Sequence, residues 1–107
     1  MELTKNSHKL ICILYRDYLE KCNSVVSVSK AKSFGSSHNI HERLCPNWLF
    51  EDVDETCREL KRAGLLNCFF ADNIAYQVSL TDSAIIHMEG RFKKGLLEVI
   101  DFLTNLI

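Results

Sequence analysis

Proline and glycine are scarce in this 107-residue chain, which contains one proline, four glycines and no repeated or low-complexity segment. That composition excludes collagen-like and disordered chains. The longest apolar run, LICILY, is far shorter than the roughly 20 residues that a membrane-spanning helix needs. An apolar fraction of 47% with 25% charged residues is typical of a globular protein, so we predict a single domain over residues 1–107.

Paired cysteines are also missing. The five cysteines are scattered, odd in number and never spaced as Cys-x-x-Cys, which favours reduced, buried thiols over a disulfide framework. The first ten residues, MELTKNSHKL, lack the basic and then apolar pattern of a secretory signal. We therefore expect a cytoplasmic protein that does not associate with membranes.

Motifs for catalysis or cofactor binding are absent from the sequence. No Gly-rich phosphate loop and no Ser-His-Asp order occurs, and the scattered thiols and imidazoles single out no nucleophile. His38, His41 and Cys45 have a spacing that could hold a transition metal, but no fourth ligand is evident and Pro46 disfavours the helical turn that would present Cys45. We expect no enzyme activity, no metal and no cofactor.

Hydrophobic periodicity and capping residues divide the chain into elements. A first helix is predicted from near Ser7 to about residue 22, and VVSVSKAKSFGSS is too short for more than an edge strand or an extended connector. Ser36 or Ser37 caps a second helix, SHNIHERL. Asn47 is expected to cap a third helix in WLFEDVDETCRELKRAG, which Gly64 ends.

The second half of the chain reads as a hairpin followed directly by a helix. Asp72-Asn73 is a two-residue turn within LLNCFFADNIAYQVSL, because both residues tolerate positive φ. Thr81 then caps one long helix over about 81–107, in which Gly90 and Gly95 mark a bend or the close approach of another backbone. This register places five apolar residues on one face of the hairpin: Leu65, Phe69, Tyr76, Val78 and Leu80.

The order helix, short strand, helix, turn, helix, hairpin, helix is that of a winged helix-turn-helix domain, an α+β fold. The join VSLTDSAIIHME resembles the passage from the second wing strand to the closing helix of bacterial winged-helix regulators, with Leu80, Thr81 and Ala84 as the matching residues. The last stretch, LTDSAIIHMEGRFKKGLLEVIDFL, is most similar to small uncharacterised winged-helix proteins of gut bacteria and their prophages. This resemblance bears on fold more than on activity.

The resemblance implies that the third helix occupies the place of a DNA-recognition helix. Its early exposed positions are predicted to carry carboxylates, which repel a phosphate-lined groove: Glu51, Asp52, Asp54 and Glu55. Bases elsewhere could contact phosphates in double-stranded DNA, or could simply form a solvated surface of mixed charge: Lys30, Lys32, Arg43, Arg58, Lys61 and Arg62. A DNA-binding transcriptional regulator is favoured narrowly over a winged-helix module that binds an unidentified protein partner.

Residues 96–107 are mostly apolar and form two neighbouring stripes, which predicts a helix covered on two sides. A homodimer is the favoured cover, since two-fold pairing is the commonest assembly. The alternative is that this helix folds back onto the first helix of its own chain. The predicted interface residues are Leu96, Val99, Ile100, Phe102, Leu103 and Leu106.

Four aromatic residues near the third helix and the hairpin could stack on nucleic-acid bases or on a ligand. Packing between the wing and the helix is the favoured interpretation, because aromatic side chains dominate small cores. The four residues are Trp48, Phe50, Phe69 and Phe70.

Overall fold

The computed structural model describes residues 2–92 and 96–106 and, within the second range, the side chains of residues 98–105. The described residues form six helices and a three-stranded antiparallel sheet, which confirms the predicted α+β class. In chain order the elements are α1 (Lys5–Cys22), α2 (Val28–Ala31), β1 (Ser33–Gly35), α3 (Ser37–Leu44), α4 (Phe50–Arg62), β2 (Leu66–Ala71), β3 (Ile74–Leu80), α5 (Asp82–Arg91) and α6 (Leu96–Leu106). None of these helices is both long and apolar enough to cross a lipid bilayer.

Helix α1 is the centre of the core and packs against α2, α4 and α6. It begins at Lys5 because the Thr4 hydroxyl caps it, accepting a hydrogen bond from the backbone N–H of Ser7 at 3.2 Å. Most of its middle is buried on every side, including Leu10 and Leu14.

The connector after α1 contains an edge strand, as the sequence predicts, together with a helical turn that the sequence analysis missed. The Ser27 hydroxyl caps this turn, α2, by accepting from the N–H of Lys30 at 3.2 Å. Strand β1 then pairs with β3 at one edge of the sheet, whose strand order is β1-β3-β2. The turn forms because it buries Ala31 completely beneath the sheet and α1, a tertiary contact that sequence alternation does not reveal.

Helices α3 and α4 follow the sequence prediction closely. Ser36 caps α3, and α4 ends at Arg62, shortly before Gly64, whose φ of +79° places it in the left-handed region that glycine adopts readily. Asn47 is not the cap of α4: the helix begins later, after Leu49, which has no side-chain capping bond and is largely exposed.

The hairpin turn is confirmed at Asp72-Asn73, where φ is +53° and +63° and Ala71 pairs with Ile74. Two consecutive positive φ values are the signature of the two-residue turn that suits the strand twist. This turn sets the register of β2 against β3 near the tip of the hairpin.

The predicted apolar face of the hairpin is wrong in part, because the pairing shifts within the strands. Phe69 pairs with Gln77, but the next residue, Phe70, pairs with Ala75, so Tyr76 is an extra residue in β3. The extra residue shifts the register by one, so Val78 and Leu80 of β3 lie opposite Cys68 and Leu66, and Phe69 points to the other face of the sheet. Phe69 and Tyr76 are therefore 65% and 57% exposed instead of facing the core.

The predicted single helix over about 81–107 is also wrong. Thr81 caps α5 as expected, but α5 ends at Arg91, and Phe92 has extended dihedral angles (φ −119°, ψ 93°). Gly95, one of the two predicted bend positions, lies outside the described residues, while Gly90 lies within the last turn of α5. After this interruption, α6 packs on α1.

Candidate interaction surface

Arg43, a predicted phosphate contact, is held by a carboxylate inside the protein. Its guanidinium donates two hydrogen bonds, of 3.1 and 3.2 Å, to the two oxygens of Asp17 on α1. Lys21 lies 2.9 Å from the same carboxylate. Burial of Asp17 opposes its ionisation, but the hydrogen bonds and charges of these two bases outweigh it and lower its pKa. Arg43 therefore joins α3 to α1.

Arg58 belongs to a second internal network, centred on Asp54. Oδ1 of Asp54 accepts hydrogen bonds from the Ser37 hydroxyl and the Ala75 N–H, both at 2.9 Å, and Oδ2 accepts from Nε of Arg58 at 3.1 Å. Burial again opposes ionisation, and these three donors outweigh it, so the pKa of Asp54 is lowered. Arg58 also donates to the backbone carbonyl of Asn73 in the hairpin turn.

The prediction that Asp54 is exposed on the third helix is thus wrong, since it is only 9% exposed. Asp54 faces inward, where the backbone N–H of Ala75 donates to it beyond the end of the β1–β3 pairing, which reaches only Val78. The other three carboxylates of the early turns are exposed as predicted: Glu51, Asp52 and Glu55.

Two further bases are paired with exposed acids. Lys32 lies 2.8 Å from Asp82 at the start of α5, and Arg62 lies 3.5 Å from Glu55. Such pairs partly cancel the positive charge that phosphates would meet, although each is worth little by itself.

Lys30 and Lys61 are the predicted phosphate contacts that have no carboxylate within ion-pair distance among the described residues. Lys30 is exposed on α2. The Lys61 ammonium lies 5.2 Å from the centre of the Phe70 ring. The six bases therefore do not form one positive patch, because four of them are paired with carboxylates of the chain itself.

The predicted dimer interface is divided by the fold of α6. Val99 and Leu103 are 3% and 0% exposed, because α6 packs on α1 within the chain, so neither is available to a second subunit. Ile100 is partly buried in the same core and Phe102 is 44% exposed. The side chains of the remaining two residues, Leu96 and Leu106, lie outside the described part of the chain.

The two histidines and the cysteine of the considered metal motif lie in separate environments. The ring of His38 stacks on Phe50, with centroids 3.9 Å apart, and Nε2 of His41 is 2.7 Å from the Trp48 carbonyl oxygen. Burial raises the pKa of the Cys45 thiol to about 11. Among the described residues no group of three or more His, Cys, Asp or Glu side chains is arranged to hold a metal ion.

Strand β2 has one side that no strand of the sheet covers. The N–H of Leu80 donates to the Lys32 carbonyl at 2.9 Å, on the β1 side of β3, whereas the N–H of Thr81 donates to the Leu65 carbonyl at 3.2 Å. Successive residues of a strand point their backbone groups to opposite sides, and two residues that face each other either both bond across the pair or both point away from it. Leu80 points toward β1, so its partner Leu66 points its N–H and C=O away from β3.

The same alternation holds along the whole of β2, because the extra residue of the bulge lies in β3. The backbone groups of Leu66, Cys68 and Phe70 therefore point away from β3. Leu66 is only 2% exposed, so its backbone is covered, and the open part of the edge is the second half of β2, at Cys68 and Phe70. Among the described residues, no backbone hydrogen bond satisfies the outward groups of these two residues.

The residues of β2 include none of the usual devices that keep sheet edges apart. The segment LNCFFA has no charged residue and no proline, and its own backbone carries no extra residue. Phe69, which the sequence analysis assigned to the core, lies exposed on the outer face of the sheet. The sequence therefore contains no signal that this strand lies at an edge, because an uncharged strand is typical of a covered position in a sheet.

A shallow groove lies on the outer face of β2 and β3, and we refer to it as the edge groove. Phe69 and its cross-strand partner Gln77 line it, and Lys61 at the end of α4 borders it. The residues that line it are Lys61, Asn67, Cys68, Phe69, Gln77 and Ser79.

No protein-family model, no curated protein and no solved structure matches this chain. The interpretation of the edge groove therefore depends on its own residues.

Proposed function

We propose that this chain is a non-enzymatic winged-helix protein whose main function is to bind another protein through the edge groove. The support for the winged-helix assignment is the element order: a short strand pairs with the second hairpin strand, and α3 and α4 pack together ahead of the hairpin. This is the arrangement that places a wing beside a helix-turn-helix pair.

The observation that carries the choice of a protein partner is the uncovered edge of β2. Unpaired backbone N–H and C=O groups in a row can hydrogen-bond to an added strand, which is a common mode of peptide recognition. The face of α4 that would enter a DNA groove carries exposed acids instead, and Arg43 and Arg58 are engaged inside the fold.

A random peptide library panned on the protein tests this function. Phe69→Lys places a charge in the edge groove, and Ile86→Lys is the matched control, because Ile86 is 68% exposed and lies on α5. We expect selected peptides to bind the wild type and the control but not the Phe69 variant. Peptides that bind all three proteins equally, or no enriched peptides, would contradict the proposal.

DNA binding is a second candidate function, favoured by one observation: Lys30 and Lys61 are exposed without a neighbouring carboxylate in the described part of the chain. Fluorescence anisotropy of a labelled random duplex, titrated from low to physiological salt, tests it. Salt-sensitive binding that weakens on Lys30→Ala or Lys61→Ala would support phosphate contacts. Absence of binding at low salt would eliminate them.

A further inference from the structure

We infer that the partner of the edge groove is an extended, acidic segment of another protein, which adds to β2 as a fourth strand of the sheet. This inference rests on the proposed function and specifies the chemistry of the partner. It starts from the two outward-facing backbone positions that are not buried, Cys68 and Phe70. They match the hydrogen-bonding positions of a strand about four residues long, or roughly 13 Å.

The two faces of the added strand meet different surroundings, because its side chains alternate. On the outer face it lies beside Phe69, whose exposed ring offers apolar contact. On the inner face it meets the end of α4, where the Lys61 ammonium lies over the Phe70 ring. A segment with acidic and apolar residues in alternation satisfies both faces.

Lys61 is the residue that selects for acidic side chains. No carboxylate of the described residues lies within ion-pair distance of it, whereas the neighbouring base Arg58 is already paired with Asp54. The Lys61 ammonium lies over the Phe70 ring, and this cation–π contact keeps its charge beside the open edge. An acidic side chain at the edge would therefore gain an ion pair without breaking an internal one.

The same charge argues against a second copy of this chain as the occupant. In a symmetric dimer, the β2 strands of two copies would pair antiparallel about a two-fold axis and form one continuous sheet. The same face of both copies would then lie on the same side of that sheet, so the two Lys61 side chains would lie on one side together. Like charges in that position repel, and β2 supplies no acid to offset them.

Fluorescence anisotropy with two labelled ten-residue peptides tests this inference. One peptide alternates glutamate with valine, and the other alternates lysine with valine. We expect the wild type and the Ile86→Lys control to prefer the glutamate peptide. Lys61→Glu is expected to weaken that binding at least about fivefold and to improve binding of the lysine peptide. Circular dichroism and thermal unfolding confirm that each variant is folded.

Amide hydrogen exchange of the same complex tests the strand geometry. Binding is expected to slow exchange at Cys68 and Phe70, while Asn67, whose amide already faces β3, changes little. Unchanged exchange at these two edge amides would overturn strand addition even if the peptide binds.

The possible failures are distinguishable. If Phe69-sensitive peptides are selected from the library but Lys61→Glu has no effect on charge preference, the acidic class is wrong and the proposed function stands. If no peptide of any charge depends on Phe69, the proposed function itself fails. A concentration-dependent dimer in sedimentation that Phe69→Lys abolishes would show that a second copy occupies the edge, and would overturn the inference.

Discussion

Replacing Asp54 with alanine would remove the carboxylate that joins α3, α4 and the hairpin. Its two oxygens accept hydrogen bonds from Ser37, Ala75 and Arg58, and the variant leaves two donors and one guanidinium without their acceptor. Breaking a buried ion pair by removing one partner costs about 3–5 kcal/mol, and we expect about 3 kcal/mol here because Asp54 lies at the margin of the core. For a domain of this size the melting temperature would fall by roughly 10–20 °C.

The asparagine variant separates the contributions. Its amide oxygen can replace Oδ1 and keep the bonds from Ser37 and Ala75, so Asp54→Asn loses only the charge and the bond from Arg58. That loss is expected to be about 1.5–3 kcal/mol, smaller than for alanine. Asp52→Asn makes the same chemical change at an exposed position of α4 and is expected to cost less than about 1 kcal/mol.

Urea unfolding followed by circular dichroism measures all three variants. The pKa of Asp54 is lowered in the folded protein, so the stability it contributes is present above about pH 4 and is lost as the pH falls through the folded value. Asp54→Asn is therefore expected to lose less stability than the wild type between about pH 5 and pH 2. Equal stability of the alanine and Asp52 variants at pH 7, or an unchanged acid sensitivity in Asp54→Asn, would refute the network.

Three other outcomes follow from single sites. Arg43→Ala takes both guanidinium bonds from the buried Asp17 and is expected to cost about 1.5–3 kcal/mol in urea unfolding; unchanged stability would mean that the pair does not hold α3 to α1. Gly64→Ala is expected to cost about 1–2 kcal/mol of stability, because φ at this position is +79°. Gly90→Ala lies within α5 with open space around it and is expected to stabilise the protein by about 0.5–1 kcal/mol. Melting temperatures of the two variants that shift in the same direction would contradict this contrast. Burial raises the pKa of Cys57, so its thiol is expected to escape a thiol reagent at neutral pH until the protein unfolds, which mass spectrometry of the labelled peptides would show.

The open edge of β2 and the exposed Phe69 have opposite consequences for the protein alone and for the complex. An uncharged, unpaired strand is a site for unwanted pairing with other chains. Retaining it costs colloidal stability, and Phe69→Lys is expected to slow aggregation of the isolated protein in light scattering, with Ile86→Lys as the comparison. Faster or equal aggregation of the Phe69 variant would mean that another surface is responsible.

The elements that could be predicted from the sequence are those whose cause is local. The turn at Asp72-Asn73 requires only that two neighbouring residues accept positive φ, and the stop of α4 just before Gly64 has the same explanation. The caps at Ser36 and Thr81 depend on an N–H three residues away. The order of these elements, and with it the α+β class, follows from residues close together along the chain.

Tertiary structure alone decided which side chains meet. Asp54 is an exposed acid by its position in α4, but Ala75, 21 residues later, brings a backbone donor to it. The extra residue in β3 turned Phe69 outward, and the interruption after Arg91 folded Leu103 onto α1 instead of leaving it for a second subunit. These outcomes depend on groups far apart in sequence, whose hydrogen-bonding and burial requirements are satisfied only when the whole chain is packed. The residues of the edge groove are likewise brought together from α4, β2 and β3, so no local pattern contains that site.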